Sequence, residues 1–104
     1  MGRDHPPAPG PGPDRVRRQL TVRGRVQMVG FRVFAARVAE QHGVGGWVRN
    51  TDAGEVEAVV EGPADAVDRV ERRIARGPAA AEVTQVERRD LPIDSPLTTF
   101  RVVG

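Results

Sequence analysis

The apolar and polar positions of the chain change their period between residues 19 and 31. Apolar side chains alternate with polar ones over residues 19–26, which predicts a half-buried strand. From Phe31 onward they recur every three or four residues, which predicts an amphipathic helix that ends before Gly43. The apolar face of the strand holds Leu20, Val22 and Val26. The apolar stripe of the helix holds Phe31, Phe34, Ala35, Val38, Ala39 and His42.

The rest of the chain adds a hairpin, a second helix and two more strands. The second helix begins at Pro63, because proline is favoured at the first helical position, and Gly77-Pro78 ends it. The order strand, helix, strand, strand, helix, strand predicts an α+β sandwich of the ferredoxin-like type (βαββαβ), an antiparallel sheet with two helices on one face. The predicted strands are residues 19–26, 46–50, 55–61, 82–89 and 100–103.

The first residues differ in composition from the rest of the chain. Residues 1–15 are rich in proline and glycine and show no apolar periodicity, so we expect a disordered leader before one domain over residues 16–104. This leader has no apolar segment typical of a signal peptide, and no part of the chain is apolar for long enough to span a membrane. Without cysteine, the chain has neither a disulfide framework nor a thiolate metal site. We expect a cytoplasmic protein that does not bind membranes.

The charge of the chain argues against a nucleic-acid partner. All 16 basic residues are arginine, and they are nearly balanced by 14 acidic residues to a net charge of +2. The predicted outer face of the third strand carries Glu55, Glu57 and Glu61, which would repel a phosphate backbone. The first strand presents Thr21, Arg23 and Arg25 there, so no aromatic platform for stacking bases is visible. We expect a monomer that does not bind nucleic acid.

The turn between the first strand and the first helix is a candidate anion site. A helix start leaves several backbone N–H groups without intrahelical partners at the positive end of the helix dipole. Such places bind phosphate, and Arg32 on the first helical turn adds a guanidinium that can grip a phosphoryl group. Taken alone, Arg32 is better explained as an ordinary surface arginine, and Asn50 could be an ordinary turn residue.

Two segments carry a resemblance to a known family. Residues 22–32 read V-R-G-R-V-Q-M-V-G-F-R, and residues 46–62 read G-W-V-R-N-T-D-A-G-E-V-E-A-V-V-E-G. Together they resemble the signature segments of the acylphosphatases, a family with the ferredoxin-like fold. The resemblance implies hydrolysis of an acyl phosphate to a carboxylate and inorganic phosphate. Arg32 would bind the phosphate, and Asn50 would orient the attacking water. The phosphate-binding loop would consist of Gln27, Met28, Val29, Gly30 and Phe31, whose backbone amides hold the remaining oxygens.

Hydrolysis of an acyl phosphate requires few catalytic groups. The leaving carboxylate has a conjugate acid with a pKa of about 4–5, so it departs without a general acid. Phosphoryl transfer through a loose transition state needs mainly positioning and charge stabilisation. The sequence contains no carboxylate cluster with metal-ligand spacing and no Ser–His–Asp or Cys–His arrangement. We therefore expect neither a metal nor a cofactor.

Residue 28 departs from the family pattern, which has a small residue, usually glycine, at this position. If φ is positive there, Met28 adds strain of about 1–2 kcal/mol. If φ is negative, the side chain only shapes the rim of the pocket. The alternative function is accordingly a catalytically weak phosphate-binding or regulatory module on the same fold.

Overall fold

The computed structural model describes residues 14–104, which form five strands and two helices. The predicted leader lies almost wholly outside the described residues, but Arg15, which we assigned to it, is the first residue of a strand. The elements are β1 (Arg15–Arg25), α1 (Phe31–Gln41), β2 (Gly45–Asn50), β3 (Val56–Pro63), α2 (Ala64–Arg76), β4 (Glu82–Leu91) and β5 (Phe100–Val102).

The strands form one sheet in the order β4-β1-β3-β2-β5. The pairs β1–β3, β1–β4 and β2–β3 are antiparallel, which confirms the predicted ferredoxin-like arrangement. The last pair, β2–β5, is parallel, so the sheet is mixed rather than wholly antiparallel. The chain leaves β4 at one edge, crosses to the opposite edge over residues 92–99, and enters β5 in the direction of β2. Periodicity along a strand does not encode this choice of neighbour.

Both helices pack on one face of the sheet around a single apolar core. The predicted strand face is confirmed, because Leu20, Val22 and Val26 are each 1% exposed or less. Each fully buried side chain of this size contributes about 1.5–3 kcal/mol, which holds the helices on the sheet. The helical members of this core are Phe31, Ala35, Val38 and Ala39 of α1 and Val67, Val70 and Ile74 of α2.

A β-bulge ends the regular part of β1. The register between β1 and β4 shifts between Arg23 and Gly24. Gly24 has φ +125°, and a Cβ there would lie 2.1 Å from the carbonyl oxygen of Glu82, so only glycine fits. A bulge bends and twists its strand. Here it lies at the end of β1, just before the loop that leads into α1.

The outer face of the sheet, opposite the helices, carries an ion-pair network. Arg23 binds Glu55 and Glu87, and Arg49 binds Glu57. Glu61 of β3 is fully buried beneath residues 92–99, where Arg15 and Arg17 both bind its carboxylate. Within residues 14–104, no helix is long and apolar enough to cross a membrane.

Candidate functional site

The start of α1 presents its backbone N–H groups without a capping side chain. The N-cap residue is Gly30, in the left-handed region at φ +78°, and it makes no side-chain cap hydrogen bond. The first turn of α1 contains no acidic residue. Free N–H groups at the positive end of a helix dipole attract an anion. The start of α1 thus has neither a capping side chain nor an acidic residue that would oppose an anion.

The loop before α1 alternates its backbone handedness. Among residues 14–104, Met28 is the only non-glycine residue with positive φ, at +63°. Val29 follows with an ordinary φ, and Gly30 is again left-handed. An alternation of right- and left-handed residues can turn successive N–H groups toward one point, a nest where an anion binds. Of the two conformations considered for residue 28, the strained one is therefore present, and it serves the shape of the loop.

Gln27 ties this loop to the β2–β3 turn. Its side-chain Nε2 donates hydrogen bonds to the carbonyl oxygens of Thr51 and Glu55, each at 2.8 Å. Thr51 is the residue directly after Asn50, and its own N–H donates to Glu55 at 2.9 Å. The side chain of Gln27 thus links the anion-binding loop to the end of β2. The resemblance implied only a backbone role for this residue.

Asn50, the last residue of β2, carries an unsatisfied acceptor. Its backbone N–H donates to the carbonyl oxygen of Gly104 at 2.8 Å, which holds the residue in place. Its Oδ1 atom is buried and has no hydrogen-bond partner among the described residues. A buried polar atom without a partner costs about 1–3 kcal/mol, so such atoms usually meet a water or a ligand.

One cleft of about 200 Å³ brings the predicted residues together. Arg32 and Asn50, which come from α1 and β2, both line it, as do Met28, Gly30 and Phe31 of the predicted loop. Gln27 and Val29 do not: Gln27 bonds to the hairpin turn, and Val29 packs against the core. The full lining is Val26, Met28, Gly30, Phe31, Arg32, Val33, Asn50 and Val102.

Sequence reasoning missed three of the lining residues. Val26 was predicted only as a core position of the first strand. Val33 lies off the apolar stripe of α1 and is 57% exposed, so helical periodicity gave it no role. Val102 reaches the cleft only because β5 pairs with β2. The exposure of Val33 and Val102, 57% and 47%, is visible only in the structure.

Arg32 differs from the arginines that form ion pairs elsewhere in the structure. It is half-buried in the cleft, and no side-chain hydrogen bond or ion pair holds it within the part of the chain that the structure describes. By contrast, Arg18 binds Asp68, Glu71 and Asp90. A free guanidinium beside free amides can bind the oxygens of a phosphoryl group.

A second hollow, of about 360 Å³, lies on the outer face of the sheet. Its lining is Gln19, Thr21, Glu87, Arg88 and Arg89. Four of these five side chains are already engaged, since Gln19 bonds to Glu57 and Arg89, Glu87 to Arg23, and Arg88 to Glu71. This hollow offers a ligand little that is not already bound, and the smaller cleft remains the better candidate. Residues 14–104 contain no group of three or more His, Cys, Asp or Glu side chains arranged to hold a metal ion.

Comparisons with known proteins identify the family of the chain. The acylphosphatase family model matches residues 18–102. An acylphosphatase of Nitrobacter hamburgensis is 52% identical over 80 residues, which cover 77% of this chain and 79% of that protein. One of Thermococcus kodakarensis is 46% identical over 92 residues, covering 86% and 98%. The crystal structure of acylphosphatase from Bacillus subtilis matches with a TM-score of 0.82 and 31% identity, covering 86% of this chain and 99% of that one. This chain therefore belongs to the acylphosphatase family.

Proposed function

We propose that Arg32, Asn50 and the loop of residues 27–31 are the machinery with which this chain hydrolyses acyl phosphates, without a metal ion. The observation that carries the proposal is the cleft that joins Arg32 to the buried Oδ1 of Asn50, neither of which has a side-chain partner among residues 14–104. The acylphosphatase family acts on small acyl phosphates, and the chain matches its model over residues 18–102. The alternative of a catalytically weak binding module is not favoured.

The phosphoryl group would be bound by Arg32 and the amides at the start of α1. These donors are already in place, so little reorganisation is needed as charge develops on the equatorial oxygens. The strained backbone at Met28 supports this geometry, because it keeps the nest formed before the substrate arrives.

Asn50 would position the water. Its Oδ1 accepts a hydrogen bond from a water O–H, which directs a lone pair of the water toward phosphorus. A bond forms between the water oxygen and phosphorus, and the bond from phosphorus to the acyl oxygen breaks with its electron pair. The carboxylate leaves unprotonated, and the proton of the water passes to phosphate and solvent. No general acid or metal enters this sequence.

The test is hydrolysis of acetyl phosphate by the purified full chain in the presence of EDTA. Arg32→Ala should lower kcat by at least about 100- to 1,000-fold, as expected for loss of a preorganised charged donor. Asn50→Ala should also lower kcat strongly while leaving phosphate inhibition nearly unchanged, because the water rather than the phosphate loses its partner. Arg37→Ala is the matched control: Arg37 is an exposed arginine of the same helix, away from the cleft, and its loss should leave the rate unchanged.

Two results would overturn the proposal. One is wild-type activity that EDTA abolishes, since the mechanism uses no metal. The other is full activity in Arg32→Ala. The expectations of a monomer, a cytoplasmic location and no nucleic-acid partner stay predictions, and gel filtration measures the first of them.

A further inference from the structure

The cleft is rimmed by exposed apolar side chains. Residues 14–104 expose four large hydrophobic residues, namely Met28 (99%), Val33 (57%), Val102 (47%) and Val103 (53%). Three of them, all except Val103, line the cleft that holds Arg32 and Asn50. Isolated apolar side chains on a surface are ordinary, but contiguous ones around a polar site mark a binding surface.

These three residues come from three separate elements. Met28 belongs to the loop before α1, Val33 to the first turn of α1, and Val102 to β5. Helix and strand periodicity would place none of them together. We propose that Met28, Val33 and Val102, here called the acyl rim, bind the acyl group of the substrate and favour acyl phosphates whose acyl group is apolar and longer than acetyl. This inference rests on the proposed function of the cleft.

The size of the cleft places the acyl group at the rim. Its volume of about 200 Å³ is below the roughly 300–1,000 Å³ of pockets that enclose drug-sized ligands. A phosphoryl group bound at Arg32 and the start of α1 occupies the polar part of this space. The acyl group, which is covalently attached to it, must then extend to the mouth, where Val33 and Val102 lie.

The rim also disfavours polar acyl groups. Among the side chains that line the cleft, Arg32 carries the only charge and Asn50 is the only other polar one. In the proposed mechanism these two are engaged with the phosphoryl group and the water. A charged or hydroxylated acyl group would lose hydration against Met28, Val33 and Val102 and gain no hydrogen bond from them.

The expected preference is modest and appears in KM. Each methylene fully removed from water favours binding about fourfold, and the rim side chains stay partly exposed, so hexanoyl phosphate should exceed acetyl phosphate by about 10-fold in kcat/KM. Contacts distant from the reacting atoms bind ground state and transition state alike. The gain should therefore lower KM and leave kcat nearly constant.

The experiment compares acetyl, butanoyl and hexanoyl phosphate with the full chain. The three leaving carboxylates have nearly equal basicity, so differences report on binding of the acyl group. Val33→Thr and Val102→Thr, singly and combined, keep the side-chain shape and replace a methyl group by a hydroxyl. Met28→Gln keeps a similar side-chain length and replaces the thioether by a polar amide; this side chain is almost wholly exposed, so the change adds no risk to folding. Val103→Thr is the matched control, because Val103 is similarly exposed but does not line the cleft.

The inference predicts a hexanoyl-to-acetyl ratio that falls toward 1 in the rim variants and stays at the wild-type value in Val103→Thr. It is overturned, with the proposed function intact, if wild type hydrolyses the three substrates equally well. It is also overturned if Val103→Thr lowers the ratio as much as the rim variants do. If wild type hydrolyses none of the three, the proposed function itself fails.

Discussion

Arginines on the outer face of the sheet are paired with carboxylates, whereas the arginine in the cleft at the start of α1 has no such partner among the described residues. On the outer face, Glu61 accepts hydrogen bonds from Arg15, Arg17 and the N–H of Leu97, at 2.6–3.1 Å. In the cleft, Arg32 has no such partner within residues 14–104, and Asn50 Oδ1 is buried without one. The charged groups around Glu61 are paired with one another, whereas the cleft contains polar groups without a side-chain partner among the described residues.

The pKa of Glu61 shows how complete the first region is. Burial is the largest single influence and raises the pKa of this carboxyl. Hydrogen bonds from Arg17, the Leu97 N–H and Arg15 together outweigh burial and hold the pKa below its ordinary value. The carboxylate therefore stays ionised where an isolated buried one would take up a proton.

The two regions are joined through residues 92–99. Arg17 binds Asp94 and the carbonyl oxygen of Ser95, and Glu61 binds the Leu97 N–H. These contacts hold the segment against the outer face on its way to β5, which carries Val102 into the cleft. Satisfied polar groups thus fix the course of the chain, whereas the unsatisfied ones lie in the cleft that is proposed to bind the substrate. Substitutions on the outer face of the sheet should therefore alter stability, and substitutions in the cleft should alter catalysis.

The largest expected effect on stability is that of Glu61→Gln. It leaves Arg15 and Arg17 without their shared carboxylate in a buried position, which costs about 3–5 kcal/mol. Urea unfolding followed by circular dichroism measures the free energy of unfolding. Glu57→Gln is the control, since Glu57 lies on the same strand face but pairs with the exposed Arg49, and such pairs contribute about 0–1 kcal/mol. Similar losses of stability in the two variants would contradict the distinction between the buried and the exposed ion pair. A lower kcat of folded Glu61→Gln would contradict the separation of stability from catalysis.

Acid should also lower the free energy of unfolding, because it protonates Glu61. The loss through Glu61 should not exceed that caused by Glu61→Gln. Because the pKa of Glu61 is lowered by folding, the folded state binds fewer protons than the unfolded state below pH about 4.3, the ordinary glutamate value. The contribution of Glu61 is therefore fully present above that pH and is lost as pH falls through its folded-state pKa. The pKa values of Asp68, bound by Arg18, and of Asp94, bound by the Ser95 N–H and Arg17, are also lowered and act in the same direction.

Urea unfolding at several pH values between about 6 and 3 measures this dependence. Wild type should lose stability more steeply with acid than Glu61→Gln, in which the group no longer titrates. Equal slopes for the two proteins would show that Glu61 does not carry the effect.

Gln27→Met tests the cleft, where we expect an effect on catalysis. It removes the two hydrogen bonds that tie the anion-binding loop to the turn after Asn50, which frees Asn50 to shift. Misplacement of a reacting group by about 1 Å costs up to about 100-fold, so kcat should fall by up to that factor. KM should change little, because the amides at the start of α1 remain.

Gln19→Met is the matched control for Gln27→Met. Gln19 also makes two side-chain hydrogen bonds, to Glu57 and Arg89, but on the outer face of the sheet. Both variants should lose similar stability, about 1–3 kcal/mol for two hydrogen bonds. Only Gln27→Met should lower kcat. A fall in both would mean that the loss of stability, and not the position of Asn50, limits the rate.

The smallest expected effect is that of Met28→Gly. It relieves strain of about 1–2 kcal/mol at φ +63°, offset by about 0.4–1 kcal/mol for the more flexible unfolded chain. The net gain, between about 0 and 1.6 kcal/mol, should raise Tm by at most about 6–13 °C in a calorimetric scan. Gly30→Ala should have the opposite effect and lower Tm. A Cβ has open space there, but φ is +78°, which strains a residue with a side chain. A Tm of Met28→Gly below that of wild type would contradict strain at this position.

Much of the fold follows from local pattern. The period-two face of Leu20, Val22 and Val26 and the helical stripe from Phe31 both became core, because burying apolar surface is what selects these elements. The two signature segments located Arg32 and Asn50, and the structure brings them into one cleft. Glu61 was expected on an open sheet face, and it is buried because residues 92–99 cover it.

The sequence by itself determined the elements, the family and the identity of the residues proposed for catalysis, since these depend on spacing along the chain. Only the tertiary structure decided the sign of φ at Met28, the parallel pairing of β5 with β2, and the acyl rim to which Val102 contributes. Each of these depends on contacts between segments far apart in the chain. Because such contacts are set by the balance of packing and hydrogen bonding over the whole domain, no local pattern of side chains encodes them.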